Sequence, residues 1–129
     1  MNDINKKQSS EDYLERIVML EKSGDEFIKA IDLARSLSFS RPSVSIALKK
    51  LESEGFVNVD SEFNISLTPA GRKIGEDTYE KHEIIGSILV SLGVDETIAY
   101  EDACRIEHVI SDESFEALRK HYLKYKKKN

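Results

Sequence analysis

Ser40-Arg41-Pro42-Ser43-Val44-Ser45-Ile46-Ala47-Leu48-Lys49-Lys50-Leu51-Glu52-Ser53-Glu54-Gly55 reads as one helix with both ends marked. Ser40 suits the N-cap, where a hydroxyl accepts one of the first unbonded backbone N–H groups. Pro42 fits the first turn, where a missing N–H costs nothing. Gly55 suits the position just past the end, which favours left-handed backbone. The helix is therefore expected from about Arg41 to Glu54. Val44, Ala47, Leu48 and Leu51 recur at helical spacing and form its inward stripe. Arg41, Ser43, Ser45, Ile46, Lys49 and Lys50 are left facing outward.

The flanking segments supply a context. Upstream, Lys29 to Leu37 forms a shorter helix with Ile31, Ala34 and Leu37 inward, joined by the tight connection Ser38-Phe39-Ser40. Before it lie a short extended piece, Glu26 to Ile28, and a first helix, Glu11 to Lys22. That helix has an apolar stripe of Leu14, Ile17 and Val18 and stops at Ser23-Gly24-Asp25. Downstream, Phe56 to Val59 alternates as a strand, Asp60 to Asn64 turns, and Ile65 to Leu67 returns. Helix, short turn, longer helix and two-stranded hairpin make a winged helix-turn-helix.

Thr68-Pro69 then opens a long helix to about Leu92, stopped by Gly93. Asp95 caps a further helix to about Ile110, and Ser111-Asp112 opens a last one that gives way to a solvated basic tail, Lys124 to Asn129. Ile84, Ile85, Ile88, Leu89 and Leu92 on the long helix exceed what one small neighbour covers, which predicts a twofold homodimer. The expected fold is mainly α with a small β-hairpin wing. A winged helix-turn-helix occupies residues 1–70 and a helical domain residues 71–129.

A recognition helix enters the major groove because the groove matches its width. The outward residues suit that task. Arg41 and the hydroxyls of Ser43 and Ser45 are able to read base edges, Ile46 to touch a thymine methyl, and Lys49 and Lys50 to meet phosphate. Lys29, Ser40 and Pro42 are counted with them at the DNA face. The alternative is a small α+β protein-binding module with ordinary surface lysines; the agreement of capping, spacing and local charge favours double-stranded DNA. The wing turn carries Asp60 and Glu62 and no Arg or Lys, so little phosphate binding is expected of it.

Net charge −5 argues against nucleic acid only superficially. Phe27 to Lys50 holds five basic residues against Asp32 alone, whereas Gly93 to Leu118 holds eight acids against Arg105 alone. A local basic face still binds phosphate, and the acidic segment either solvates a face or collects cations. With 40% hydrophobic and 33% charged residues the chain is able to bury a core while staying out of a membrane. The polar start from Met1 to Ser10 lacks the apolar segment of a secretory signal, which predicts a cytoplasmic protein. The single cysteine, Cys104, excludes an intrachain disulfide. It is a buried small hydrophobe, a nucleophile or a metal ligand according to its neighbours.

Those neighbours are suggestive. Cys104, Glu107 and His108 fall at i, i+3 and i+4 of one expected helix and share a face. Thiolate, carboxylate and imidazole all ligate first-row metals. Asp12 and Glu15 share a face of the first helix beside its apolar stripe, and His82 lies midway along the long helix. Each has a bland alternative as a solvated side chain, so periodicity leaves the metal site an open hypothesis.

The sequence resembles the DtxR/MntR family of metal-dependent transcriptional regulators. The resemblance rests on five collinear stretches. These are Glu11-Asp12-Tyr13-Leu14-Glu15, Arg41-Pro42-Ser43-Val44-Ser45, Leu67-Thr68-Pro69-Ala70-Gly71-Arg72, Lys81-His82-Glu83, and Ala103-Cys104-Arg105-Ile106-Glu107-His108-Val109-Ile110-Ser111-Asp112-Glu113. It implies a winged helix followed by a helical metal-binding and dimerisation domain. It places the metal ligands at Asp12, Glu15, His82, Cys104, Glu107 and His108. Asp12 resembles the family's manganese-responsive branch, and Cys104 its iron-responsive branch, where the manganese branch has Glu. A second site near His82 in the iron branch uses further ligands, and Gly86 and Tyr100 stand at their places here. Some members carry a third, barrel-like domain that a chain of this length is expected to lack.

The resulting expectation is a non-enzymatic repressor of metal-ion homeostasis genes, activated by Mn(II) or Fe(II) and binding a palindromic operator as a homodimer. The alternatives are a winged-helix regulator that senses no metal, and a metalloenzyme using Cys104, Glu107, His108 and His82.

Overall fold

The computed structural model describes residues 2–128, with side chains for residues 10–126. Met1, in the polar start, and Asn129, at the end of the basic tail, lie outside the described residues. The elements follow in the order α1 (Asn2–Lys22), α2 (Ala30–Leu37), α3 (Arg41–Ser53), β1 (Val57–Val59), β2 (Ile65–Leu67), α4 (Pro69–Ser91), α5 (Glu96–Ile106) and α6 (Asp112–Lys128). Contacts divide the chain into two compact units, residues 1–77 and 78–129. No described helix is long and apolar enough to cross a membrane.

The first unit is a winged helix-turn-helix. Leu14, Ile17 and Val18 from α1, Leu33 from α2, Val44 and Leu51 from α3 and Val57 from β1 are its most fully buried side chains. Ser40 caps α3 by accepting from Ser43 N–H at 3.3 Å. At the other end Gly55 takes φ +83°, a left-handed value that a Cβ penalises. There Gly55 N–H reaches the Glu52 carbonyl at 3.1 Å and Phe56 N–H the Leu51 carbonyl at 2.9 Å, the paired bonds of a Schellman motif. The same pairing closes α4, from Gly93 to Val90 at 3.0 Å and from Val94 to Leu89 at 3.1 Å. Tyr13 of α1 meets Phe39 edge-on, ring centroids 5.8 Å apart, so α1 packs against the turn that leads into α3.

β1 and β2 pair antiparallel, Val57 with Leu67 and Val59 with Ile65, and Ile28 adds a bridge to Ile65. The wing turn is built around Asp60. Its Oδ1 accepts from the backbone N–H groups of Glu62 at 2.8 Å and Asn64 at 2.9 Å. The Asn64 bond is the main cause holding the Asp60 carboxyl below the usual carboxylate range. The acid that looked unsuited to a DNA-facing wing therefore serves the turn itself. A depressed folded-state pKa means this contribution is complete above the ordinary carboxylate pKa and is lost as pH falls through the lowered value. Asp60→Ala is accordingly expected to speed amide hydrogen exchange at Glu62 and Asn64 at neutral pH. The parent should lose the same protection, judged against unstructured amides at the same pH, only in acid. Unchanged exchange in the variant would contradict this account.

Several boundaries differ from the sequence expectation. α1 begins at Asn2 rather than Glu11, because a polar stretch of helix carries no apolar period to reveal it. Ile31, expected inward, is exposed, and Leu33 is buried in its place. At the start of α2 the Asp32 carboxylate accepts from Lys29 N–H at 2.8 Å. Ala47 is only half-buried. α5 stops at Ile106 instead of Ile110, and α6 runs on through the basic tail to Lys128.

In the second unit, the later part of α4 packs with α5 and α6 around Ile84, Ile85, Ala103 and Phe115. Ile88, Leu89, Ile106, Ile110, Leu118 and Tyr122 surround them. Asp95 caps α5 by accepting from Thr97 N–H at 3.1 Å and Ile98 N–H at 3.4 Å. Ala103 is fully buried, and its small side chain allows α5 to lie close to α4.

Candidate metal centre

His82 lies on α4, Cys104 on α5, and Glu107 at the C-cap of α5, with His108 in the turn that follows. The expected single helical face is thus a helix end. Glu107 N–H still bonds back to the Ala103 carbonyl at 2.9 Å, but His108 N–H reaches the Arg105 carbonyl at 3.4 Å, a tighter turn than the α-helix makes.

The ligand atoms of His82, Cys104 and Glu107 lie within 4.8 Å of one another. Glu107 is only 2% exposed. Its Oε2 sits 3.1 Å from His82 Nδ1 and its Oε1 3.4 Å from His108 Nε2, so two imidazoles flank one buried carboxylate. A carboxylate here is doubly unfavoured. It is removed from water, and it stands at the C-terminal end of a helix, where the backbone dipole is negative. An added cation relieves both. The 3.1 Å between Glu107 Oε2 and His82 Nδ1 is a hydrogen-bond distance, so these two donor atoms already stand side by side. Imidazole, thiol and carboxylate in this setting fit a divalent first-row metal.

Asp12 and Glu15 lie on α1 in the first unit. Glu15 is 4% exposed, an unusual degree of burial for a glutamate on a helix surface. Asp12 is half-buried beside Tyr13, whose phenol is pushed up by burial and then by the Asp12 charge.

On α3, Arg41, Pro42, Ser43, Ser45, Ile46, Lys49 and Lys50 are all exposed, Ile46 to 71%. Ser40 donates its hydroxyl hydrogen to Ser43 Oγ at 2.8 Å, which leaves the Ser43 hydrogen available to an outside acceptor. Lys29 has a different engagement. Its Nζ donates to the Glu62 carbonyl at 2.8 Å and braces the wing tip against the start of α2. Nothing in the spacing of the sequence signals that bond across 33 residues.

In the sequence Tyr100 stands out only as the residue at a second-site ligand place of the iron branch. In the structure its ring lies against His82, centroids 5.3 Å apart. The available signal was its position four residues before Cys104 on one helix face.

Comparison with known proteins agrees across the chain. Residues 68–128 match the family described as iron dependent repressor, metal binding and dimerisation domain. Residues 7–62 match iron dependent repressor, N-terminal DNA binding domain. An uncharacterized HTH-type transcriptional regulator of Methanocaldococcus jannaschii is 40% identical over 122 residues, covering 94% of this chain and 98% of that protein. The transcriptional regulator MntR of Salmonella typhimurium is 33% identical over 117 residues, covering 91% of this chain and 74% of that protein. Among solved structures, that of the manganese regulator SloR superposes with a TM-score of 0.77 at 33% identity, covering 90% of this chain and 54% of its own. The chain thus spans about half the length of that solved structure.

Proposed function

The chain belongs to the iron-dependent repressor family of metal-dependent transcriptional regulators, and from that premise we propose that it represses metal-ion homeostasis genes when Mn(II) or Fe(II) is bound. It is a DNA-binding regulator and not an enzyme. The observation that carries the reading is the buried Glu107 carboxylate flanked by His82 and His108 beside the Cys104 thiol.

The ligand set is Asp12, Glu15, His82, Cys104, Glu107 and His108. A bound divalent metal supplies positive charge to carboxylates that otherwise repel one another. The chain's own residues turn occupancy into DNA affinity. Asp12 and Glu15 share α1 with Leu14, Ile17 and Val18, which are buried in the winged-helix core, and with Tyr13, which packs on Phe39 just before the α3 cap. Fixing α1 through Asp12 and Glu15 therefore fixes the support of the recognition helix. The DNA contacts are assigned to Ser40, Arg41, Pro42, Ser43, Ser45, Ile46, Lys49 and Lys50, with Lys29 acting through the wing it braces.

Residues 1–70 form the DNA-binding module and residues 71–129 the metal-binding and dimerisation module, acting as a homodimer in the cytoplasm on a palindromic operator. Leu92, Ile98 and Tyr125, each more than half exposed in the second unit, supply apolar surface for the twofold contact. Some metal selection comes from Cys104, whose thiolate favours softer, later metals than the carboxylates do and biases the site toward iron.

The test combines DNA binding with spectroscopy. The protein should shift a fragment of its own upstream region with manganese(II) present and release it on chelation. Loaded with cobalt(II), it should show a thiolate-to-metal absorption band that Cys104→Ser removes. DNA binding indifferent to metal would refute the function, and a missing band would remove Cys104 from the ligand set.

A further inference from the structure

We propose that Tyr100 is a positioning residue for the metal centre, setting the orientation of the His82 imidazole before any metal arrives. The inference rests on the reading of His82 as a ligand.

Three contacts place the ring. Gly86 has no side chain, and a Cβ there would collide with Tyr100 Cε1, Cδ1 and Cζ, so the ring occupies that space on α4. The Tyr100 hydroxyl lies 3.3 Å from Ser87 Oγ, which anchors the far end of the ring to the same helix. The centroid of the ring then stands 5.3 Å from that of the His82 imidazole, the two planes tilted by 44°.

His82 and Gly86 are four apart on α4, and Tyr100 and Cys104 are four apart on α5, so both pairs line facing surfaces. His82 is thereby held between two neighbours. Tyr100 bounds one side of its ring, and Glu107 Oε2 holds Nδ1 at 3.1 Å on another. An imidazole has two soft side-chain torsions. Loss of the tyrosine ring would remove one of the two contacts that orient His82, and a ligand that must be ordered on binding weakens affinity.

The experiment uses the full chain with manganese(II) alone as the probe. In the metal-free protein, long-range proton–nitrogen NMR reads the His82 ring nitrogens; manganese titration followed by electron spin resonance reads affinity, and circular dichroism reads melting. Tyr100→Phe keeps the ring over Gly86 and against His82 and loses only the Ser87 contact, so it should retain most of the His82 order and manganese affinity that Tyr100→Leu loses. Tyr100→Leu should average the His82 nitrogen signals and weaken manganese about tenfold, in the range typical of lost supporting contacts. Gly86→Ala, which displaces the ring without removing it, should do the same and carries the test if Tyr100→Leu does not fold. Unchanged His82 signals and affinity in these variants would overturn the proposal. So would losses that Tyr100→Phe fails to rescue, or that appear only as a lowered melting temperature. His82→Ala separates the two levels. If it leaves manganese affinity intact, His82 is no ligand and both readings fall. If it weakens affinity while Tyr100→Leu and Gly86→Ala do not, the positioning role alone falls.

Discussion

Glu107→Ala is expected to abolish the dependence of operator binding on metal. The geometry ties Glu107 to two other proposed ligands, with one carboxylate oxygen toward His82 and the other toward His108. Its loss removes one donor and the shared reference for two others. Allosteric coupling in regulators typically amounts to about 1–3 kcal/mol, or about 5–150-fold in affinity. That ratio, measured with manganese and with chelator, should fall to about one in the variant. Asp12→Ala combined with Glu107→Ala should do no more, because the coupling is already gone. Stability gives an independent reading. Metal at about a hundred times its dissociation constant stabilises a native protein by about 2.7 kcal/mol, and this metal-induced rise in melting temperature should vanish with Glu107. Glu107→Gln keeps the shape without the charge and should resemble the alanine variant. Metal-stimulated DNA binding that survives Glu107→Ala would refute the assignment of this centre as the sensor.

The DNA-binding half was more legible in the sequence than the centre, for a physical reason. Ser40 and Thr68 accept from N–H groups three residues on, Pro42 and Pro69 sit in a first turn that needs no N–H from them, and Gly55 takes a left-handed φ, so their spacing reveals them. Val44, Leu48 and Leu51 are buried as their period requires. Errors arose where the deciding partner lay elsewhere. Ile31 and Leu33 both fit an apolar stripe in an eight-residue helix, and it is Leu33, with Ala34, that faces the core. Val109 and Ile110 continue the helical pattern of α5, yet the backbone tightens after Ile106. That departure gives Glu107 and His108 different positions around the helix end, which i, i+3, i+4 counting could not show. The ligand types were visible as residues. The burial of Glu15 and Glu107, and the seat of Tyr100 over Gly86, depend on contacts between helices and have no local signature.

Changes on α3 should separate sequence preference from general DNA affinity. Arg41, at the first position of α3, is exposed, and an arginine there is able to place two donors on a guanine edge. Losing such a contact costs about 1–3 kcal/mol per half-site, hence about 2–6 kcal/mol for a twofold dimer on a palindrome. Arg41→Ala should therefore reduce operator binding sharply while leaving random DNA nearly unaffected. Ile46 and the available Ser43 hydrogen sit on the same exposed helix, and their replacement should alter which sequences are preferred. Lys49 and Lys50 are assigned to phosphate. Lys49→Ala with Lys50→Ala should weaken operator and random DNA alike. The slope of log affinity against log salt should flatten by about 3.6 if each lysine of both protomers meets one phosphate, at about 0.9 per contact. The two outcomes are distinguishable in one series of salt titrations on operator and random duplexes. Equal losses on both duplexes for Arg41→Ala, or an unchanged salt slope for the double lysine variant, would show that α3 does not read the groove in this way. The wing supplies the control: Glu62→Ala leaves the Lys29–carbonyl brace intact, since that bond uses the backbone oxygen, and should not alter sequence preference.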